Sequence, residues 1–223
     1  MFISREVSEH NYFRKALEKH HIEIDARSLI RTFPIVTVLD PFYLKHVDWI
    51  FFSSRNSVEY FFKLKPTLTK YVKFGVAGKG SEDSLRKLGH LADYVGEGGD
   101  IDEVANLFAE AVVGKTVLFP RAQDSLLSIQ KALKPETKVV DLPIYETVIE
   151  EDVDRTEAEV LIFTSPSNVE AYFVDNLLEP GQQVIAIGNS TAKVFDEMGV
   201  KYILPYAPDE ISLAEAVFGI EIK

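Results

Sequence analysis

The feature that most constrains this chain is an internal duplication with a spacing of about 110 residues. The segment 50–62 (IFFSSRNSVEYFF) aligns with the segment 161–173 (LIFTSPSNVEAYF), and five of the 13 aligned positions are identical. Beyond these segments, Gly78 and Gly89 have counterparts 110 residues later in Gly188 and Gly199. A repeat of this length within 223 residues predicts two domains of similar architecture.

Short apolar strands alternate with amphipathic helices along both copies of the repeat. Eight strand–helix units are predicted, of which the first has a helix over 8–20 with Ser8 as its N-cap. The last unit has a strand over 201–204 followed by a helix over 211–218. Continuous apolar strands that lead through short loops into helices predict an α/β fold with parallel sheets flanked by helices.

Two long extended stretches, about 22–39 and 139–148, interrupt this alternation at equivalent places in the two copies. If they pair with each other, the first strand–helix unit packs with the last three units. The predicted architecture is then two similar lobes joined by a two-stranded linker ladder. Domain A comprises 1–29 plus 149–223, domain B comprises 38–138, and the linker strands are 30–37 and 139–148. Such lobes form a hinge, and a ligand is expected in the cleft between them, at the carboxyl ends of the strands. A single doubly wound sheet of eight strands is the alternative.

Composition excludes several classes of site and partner. The absence of cysteine excludes disulfides, thiolate metal sites and cysteine nucleophiles, and the five histidines show no metal-ligand spacing. No metal and no cofactor are therefore expected. The net charge of −11 argues against nonspecific binding of nucleic acid. No apolar run approaches the ~18 residues of a membrane span, and no signal peptide is visible, so we expect a cytoplasmic protein without a membrane partner.

The negative charge is concentrated in the C-terminal third of the chain. Residues 141–223 carry 4 basic and 17 acidic side chains, whereas residues 1–140 carry 20 basic and 18 acidic ones. The first 140 residues therefore have a net charge of +2 and are able to present cations to an anionic ligand. The overall acidity does not exclude an acidic substrate.

Four predicted helix starts are rich in hydroxyl and amide donors. They are 53–57 (SSRNS), 78–81 (GKGS), 164–168 (TSPSN) and 188–191 (GNST). Free backbone N–H groups and the positive end of the helix dipole suit such a turn to an anion, although each is also explained as an ordinary N-cap. Four of them at equivalent places of a duplicated fold favour a polyanion. Neither a Walker A motif nor Gly-x-Gly-x-x-Gly is present, which disfavours a nucleotide.

Three further side chains are candidates for chemistry or for binding charge. Arg5 and Arg121 follow the first strand of each half, where each is either a cation for a substrate carboxylate or a salt-bridged surface residue. Tyr145 lies in the second linker stretch. Its phenol, with an ordinary pKa of about 10, is protonated at neutral pH and able to act as an acid. A tyrosine in an extended strand is also explained by packing alone.

Four motifs in this order resemble those of the uroporphyrinogen-III synthase family over nearly the whole chain. They are 52–58 (FSSRNSV), 143–148 (PIYETV), 163–169 (FTSPSNV) and 187–192 (IGNSTA). The resemblance implies a cytoplasmic monomer of two α/β lobes that converts hydroxymethylbilane to uroporphyrinogen III without a cofactor. Water is lost in this reaction and the last pyrrole ring, ring D, is inverted. A transient contact with the preceding enzyme of the pathway is a further expectation.

The reaction implied by this resemblance requires mainly that the protein control the conformation of its substrate. The pyrrole nitrogen expels the hydroxyl to give an azafulvene, and closure at the substituted carbon of ring D gives a spiro intermediate that fragments and recloses with the ring turned. The bilane cyclises unaided to the symmetric isomer, so the protein has to impose a geometry on it. A modest general acid would suffice for departure of the hydroxyl.

Residue roles follow from the resemblance by position. Tyr145 matches the linker tyrosine that assists departure of the hydroxyl, and it is the one catalytic candidate. The substrate-binding candidates are the hydroxyls that match cleft-lining positions, a neighbouring amide, and two cations taken from the physical interpretation: Ser54, Ser81, Ser165, Ser190, Thr191, Asn56, Lys79 and Arg5. Two alternatives stay open: a non-catalytic hinged small-molecule (polyanion) binding or sensor protein, and a methyltransferase or other nucleotide-using enzyme.

Overall fold

A computed structural model describes residues 1–40, 44–97, 100–151 and 153–220. The chain divides into two compact units, of which unit 1 comprises Met1–Arg31 with Val148–Lys223 and unit 2 comprises Thr32–Thr147. The strands are β1 Phe2–Ile3, β2 Asp25–Ala26, β3 Ile30–Pro34, β4 Trp49–Phe52, β5 Lys73–Val76, β6 Tyr94–Val95, β7 Thr116–Ala122, β8 Lys138–Ile149, β9 Val160–Phe163 and β10 Gln183–Ala186. The helices are α1 Tyr12–Glu18, α2 Arg55–Lys63, α3 Lys79–Lys87, α4 Ile101–Ala111, α5 Ser128–Ala132, α6 Pro166–Phe173, α7 Asn189–Met198 and α8 Glu210–Phe218.

Unit 1 is built on a parallel sheet with the strand order β10-β9-β1-β2. The first strand of the chain therefore lies beside a strand from the C-terminal part, with Phe2 opposite Leu161 and Ile3 opposite Ile162. Successive residues of β1 enter different core clusters, since Phe2 packs with Phe163 whereas Ile3 packs with Phe13. Both faces of the sheet are therefore buried, which explains why these strands are continuously apolar.

Unit 2 is built on a sheet with the strand order β3-β8-β7-β4-β5-β6. The strand pairs β8–β7, β7–β4, β4–β5 and β5–β6 are all parallel. The neighbouring strands β3 and β8 are the two extended linker stretches of the sequence. The Ile35 N–H donates to the Ile144 carbonyl (3.0 Å) and the Glu150 N–H to the Leu29 carbonyl (2.9 Å). The predicted pairing of the two linker strands and the predicted α/β class with parallel sheets are thus confirmed.

The repeat in the sequence is also a repeat in topology. The order β2-β1-β9-β10 of unit 1 corresponds, strand by strand, to β8-β7-β4-β5 of unit 2. The paired glycines of the repeat have the same role, because Gly89 and Gly199 follow α3 and α7 with φ values of +84° and +68°. Glycine adopts this left-handed conformation without the strain that a side chain causes.

Two local predictions are wrong. Ser8 does not cap α1: its carbonyl accepts the Asn11 N–H in a preceding turn, and Asn11 is the cap, with Oδ1 accepting the Arg14 N–H. The segment 201–204 forms no strand but a single parallel bridge between Ile203 and Ile185. Pro205 follows directly and has no N–H with which to extend the ladder. None of the helices formed by the described residues is long and apolar enough to cross a membrane.

Candidate functional site

The start of α2 holds Ser54 in a fixed orientation. Ser54 is the N-cap, and its Oγ accepts the Ser57 N–H (3.1 Å) while the Ser57 Oγ accepts the Ser54 N–H (3.3 Å). This reciprocal capping box satisfies two backbone donors at once, and each such cap stabilises a helix by about 1 kcal/mol. The Ser54 hydroxyl therefore has a defined position directly after the buried strand β4.

Tyr145 meets this serine from strand β8. Its Oη lies 3.0 Å from the Ser54 Oγ, although the two residues are 91 positions apart. The register of β7 and β8 shifts between Arg121 and Ala122, so that Ala122 lies opposite Tyr145. A bulge of this kind changes the direction of a side chain at the end of a ladder. Only 6% of Tyr145 is exposed, and its ring stacks on the ring of Tyr60 with centroids 5.0 Å apart and planes at 11°.

The environment of Tyr145 favours a neutral phenol. Burial raises the pKa of Tyr145 above its ordinary value, and the hydrogen bond from Ser54 partly opposes this effect. The Ser57 N–H already occupies one lone pair of the Ser54 Oγ, so the Ser54 hydroxyl is able to donate its own proton to Tyr145. The phenolic proton is then available to another acceptor, and the same serine would stabilise a transient phenolate.

The equivalent turn of unit 1 uses its hydroxyl differently. Ser165 caps α6, and its Oγ accepts both the Asn168 backbone N–H (3.3 Å) and the Asn168 Nδ2 (2.9 Å). Asn168 is buried, and its Oδ1 accepts the Leu29 N–H at 2.8 Å. The predicted hydroxyl is therefore part of a network that joins the α6 start to the segment before β3.

The N-termini of α3 and α7 have no side-chain cap. Gly78 and Gly188 stand at the N-cap positions, and glycine has no side chain with which to accept the first backbone N–H groups of the helix. Ser81 and Thr191 lie in the first turns and are 6% and 1% exposed, whereas Ser190 is exposed. Free N–H groups beside a hydroxyl, at the positive end of a helix dipole, form a site suited to a carboxylate.

The predicted cations are already paired within the protein. The Lys79 Nζ contacts the Glu82 carboxylate at 2.7 Å and the Asp83 carboxylate at 3.6 Å. The Arg5 Nη2 lies 2.5 Å from the Glu210 Oε1. A substrate carboxylate at either cation would have to share it with a carboxylate that is already in place. Asn56 is half-buried in the first turn of α2.

Arg55 is a cation that the site prediction missed. Its exposed side chain lies across the first turn of α3, where a Cβ on Gly80 would be 3.3 Å from the Arg55 Nε. No carboxylate among the described residues forms an ion pair with it. The sequence feature that could have indicated this contact is the glycine at position 80. Without a side chain, it leaves room for another side chain to lie against the helix backbone.

Across the described ranges, no group of three histidine, aspartate or glutamate side chains is arranged to hold a metal ion.

Comparison with known proteins identifies the family. The family model described as uroporphyrinogen-III synthase HemD matches residues 12–215. No curated protein sequence is significantly similar to this chain. Uroporphyrinogen-III synthetase from Helicobacter pylori matches its structure with a TM-score of 0.68 and 16% identity over 97% of both chains. A mutant uroporphyrinogen III synthase from Thermus thermophilus matches with a TM-score of 0.62 and 16% identity, over 98% of this chain and 96% of that one. The chain belongs to the uroporphyrinogen-III synthase family, the cyclising lyases of tetrapyrrole biosynthesis.

Proposed function

We propose that Tyr145 is the general acid with which this enzyme cyclises hydroxymethylbilane to uroporphyrinogen III, with loss of water and inversion of ring D. The activity is that of the family to which the chain belongs. The observation that ties it to particular residues is the 3.0 Å contact between the Tyr145 Oη and the Ser54 Oγ. This contact joins a buried, neutral phenol to a hydroxyl that is able to stabilise its conjugate base.

The proton balance of the reaction is consistent with one acid of this kind. As the pyrrole nitrogen expels the hydroxyl, the Tyr145 phenol gives up its proton and the hydroxyl leaves as water. The Ser54 hydroxyl donates to the phenolate that results. Closure of the macrocycle on a pyrrole carbon later releases one proton, which restores the phenol. A positioned acid of this type contributes roughly 10²–10⁴-fold to the rate.

Backbone amides at helix starts supply the proposed carboxylate sites. The substrate has eight carboxylates, and the uncapped N-termini of α3 and α7 present N–H groups next to the buried hydroxyl residues Ser81 and Thr191. Asn56, Ser165 and Ser190 complete the proposed set of uncharged donors, whereas the single hydroxyl proton of Ser54 is assigned to Tyr145. Binding by neutral donors explains how a chain with a net charge of −11 takes an acidic substrate.

Arg55 is proposed to bind a substrate carboxylate more strongly than Lys79 or Arg5 does, because no carboxylate of the described residues already pairs with it. We expect Arg55→Gln to raise the KM for hydroxymethylbilane about 5–20-fold. A charge-assisted hydrogen bond contributes about 1.5–3 kcal/mol, and solvent screening at this exposed side chain reduces that contribution. Lys79→Gln should have a smaller effect, because Lys79 is held by Glu82 and Asp83. Steady-state kinetics of each variant make the comparison.

The control for this charge change lies in α3, the helix whose first turn the Arg55 side chain crosses. Lys87→Gln removes an exposed cation from the last turn of α3, and the KM should stay within about 2-fold of the parent value because its charge is screened by solvent. An equal rise in KM for Arg55→Gln and Lys87→Gln would reduce the role of Arg55 to its contribution to net charge.

The proposed activity is tested directly by the isomer that the protein produces. Hydroxymethylbilane is incubated with the protein, the products are oxidised to porphyrins, and the isomers are separated. We expect the type III isomer to predominate, whereas bilane without protein gives the type I isomer. Type I product alone in the presence of folded protein would rule out the synthase activity. Tight binding without turnover would instead favour the hinged binding protein.

We infer a monomer in the cytoplasm that takes the bilane from the preceding enzyme of the pathway through a transient contact. Spontaneous cyclisation of the bilane to the wrong isomer supports this inference, because a short free lifetime of the substrate limits that loss.

A further inference from the structure

We propose that Tyr60 is a positioning residue that fixes the ring of Tyr145, an inference that rests on the proposed acid role of Tyr145. Tyr60 lies in α2, six residues after the cap Ser54. Its ring stacks on the Tyr145 ring with centroids 5.0 Å apart and planes inclined by only 11°. One helix therefore contacts Tyr145 at two points, at the oxygen through Ser54 and at the ring face through Tyr60.

Tyr60 is itself held by contacts at its hydroxyl and at its ring. Its hydroxyl lies 2.8 Å from the carbonyl oxygen and 3.0 Å from the Oγ1 of Thr32, on strand β3. The Lys63 ammonium lies 4.7 Å from the centre of the Tyr60 ring, a distance typical of a cation–π contact. The ring therefore spans from α2 to β3, and Tyr145 on β8 rests against a group that has little freedom to move.

This arrangement determines where the Tyr145 proton is delivered. The contact with Ser54 alone leaves the phenol ring free to rotate about its Cβ–Cγ bond and to tilt about the fixed oxygen. A parallel ring against its face removes both motions. Misplacement of a reacting group by about 1 Å costs up to ~100-fold in rate, so the stacking is able to affect kcat without contact between Tyr60 and substrate.

The internal repeat indicates that the fold itself does not need this aromatic pair. Tyr60 aligns with Ala171, and Tyr145 aligns with Ile30 at the spacing that relates Thr32 to Thr147. In unit 1, Ile30 packs against the core cluster that contains Ala171. An aliphatic residue beside an alanine therefore satisfies the same topological position. The tyrosine pair occurs in the copy whose linker strand carries the proposed acid.

The test uses Tyr60→Leu and Tyr60→Phe, each alone and combined with Tyr145→Phe. We expect Tyr60→Leu to lower kcat about 10-fold with KM within about 2-fold, because the ring support is lost. Tyr60→Phe keeps the ring but not its anchor on Thr32, and should lower kcat about 2–5-fold. In the Tyr145→Phe background, Tyr60→Leu should lower kcat by less than about 2-fold, because residues that act as a unit are not additive.

A spectroscopic measurement separates positioning from general destabilisation. The alkaline titration of Tyr145 is obtained from phenolate absorbance as the difference between the parent protein and Tyr145→Phe. Loss of the Tyr60 ring exposes Tyr145 to water, so its titration should move to lower pH in Tyr60→Leu. Tyr94→Leu is the matched control, because the Tyr94 hydroxyl also donates to a backbone carbonyl (Val104, 2.9 Å), yet Tyr94 contacts neither Tyr145 nor Ser54. Its kcat should equal that of the parent protein.

The outcomes distinguish this inference from the proposed function. Additive losses in the double variant, or a kcat for Tyr60→Leu within 2-fold of the parent value, would overturn the positioning role while the synthase activity stands. Type III product with an unaffected Tyr145→Phe variant would remove the acid role and the positioning role together. Absence of type III product from the parent protein would overturn the function. If Tyr60→Leu does not fold, the Tyr60→Phe series decides alone.

Discussion

Tyr145→Phe is expected to lower kcat for hydroxymethylbilane by about 100-fold or more, with little change in stability. The substitution removes only the phenolic oxygen. The phenylalanine ring keeps the buried position and the stacking on Tyr60, and Ser54 keeps the Ser57 N–H as a partner. Stopped-flow or steady-state turnover with the type III isomer as the measured product quantifies the loss, and thermal unfolding checks that the fold is intact.

The pH dependence provides the control for this prediction. The protonated phenol is the active form, and burial raises the pKa of Tyr145 above its ordinary value of about 10. A raised pKa keeps the proton bound to higher pH, so the midpoint of the kcat loss caused by Tyr145 should lie above the ordinary phenol value of about 10. The Phe variant should lack this loss. An unchanged kcat in the Phe variant would contradict the acid role, and so would a loss of activity with the same alkaline pKa in both proteins.

Gly78→Asp and Gly188→Asp are expected to make the protein more stable and its substrate binding weaker. An aspartate at an N-cap accepts the free N–H groups of the first turn. Relative to glycine it stabilises the helix by a few tenths of a kcal/mol as a cap and by roughly 0.3–1 kcal/mol through the helix dipole. The same carboxylate occupies the amides that the substrate would use and repels its negative charge. The KM should rise at least about 10-fold, which corresponds to a loss of about 1.4 kcal/mol in binding.

The structure has room for both substitutions. The φ values of Gly78 and Gly188 are 179° and −166°, extended conformations that any residue adopts. A Cβ at Gly78 would meet no atom within 4 Å, and one at Gly188 would meet only the Pro208 Cβ at 3.7 Å. The rise in KM would therefore not be due to a steric clash.

The matched control for the glycine variants is Asn11→Asp at the start of α1. It also places a carboxylate at an N-cap, in a helix to which no substrate contact is assigned. Its stability should change by less than 1 kcal/mol, because asparagine and aspartate are similar caps, and its KM should be that of the parent. If the glycine variants are more stable but bind the substrate normally, the N-termini of α3 and α7 are structural and the carboxylate sites lie elsewhere.

The parts of the fold that depend on local periodicity were predictable from the sequence. The α/β class, the starts of α2 and α6 and the ends of α3 and α7 follow from apolar spacing, from serine caps and from repeated glycines. The predicted Ser8 cap was wrong because a turn of the same residue types precedes α1, and two residues of similar capping preference lie three positions apart. The strand predicted over 201–204 was wrong because a short apolar run followed by a proline is compatible with a single bridge as well as with a strand.

The chemistry of the candidate site was only partly predictable. Hydroxyls at helix starts are a local pattern, so Ser54 and Ser165 stood out by sequence. The hydrogen bond between Ser54 and Tyr145 joins residues 91 positions apart, and that from Tyr60 to Thr32 joins residues 28 apart. The pairing of Arg5 with Glu210 spans 205 positions, so the sequence left open whether Arg5 is a cation for a ligand or is salt-bridged.

The sequence by itself determined the duplicated architecture of this protein, because periodicity, caps and repeats act over a few residues and are written along the chain. Only the tertiary structure decided which side chains of the loops meet. Strand order brings α2, β3 and β8 together around Tyr145, and the space above Gly80 admits the side chain of Arg55. The first result depends on sheet register, where a shift of one residue turns a side chain to the other face, and the second depends on how closely two helices pack.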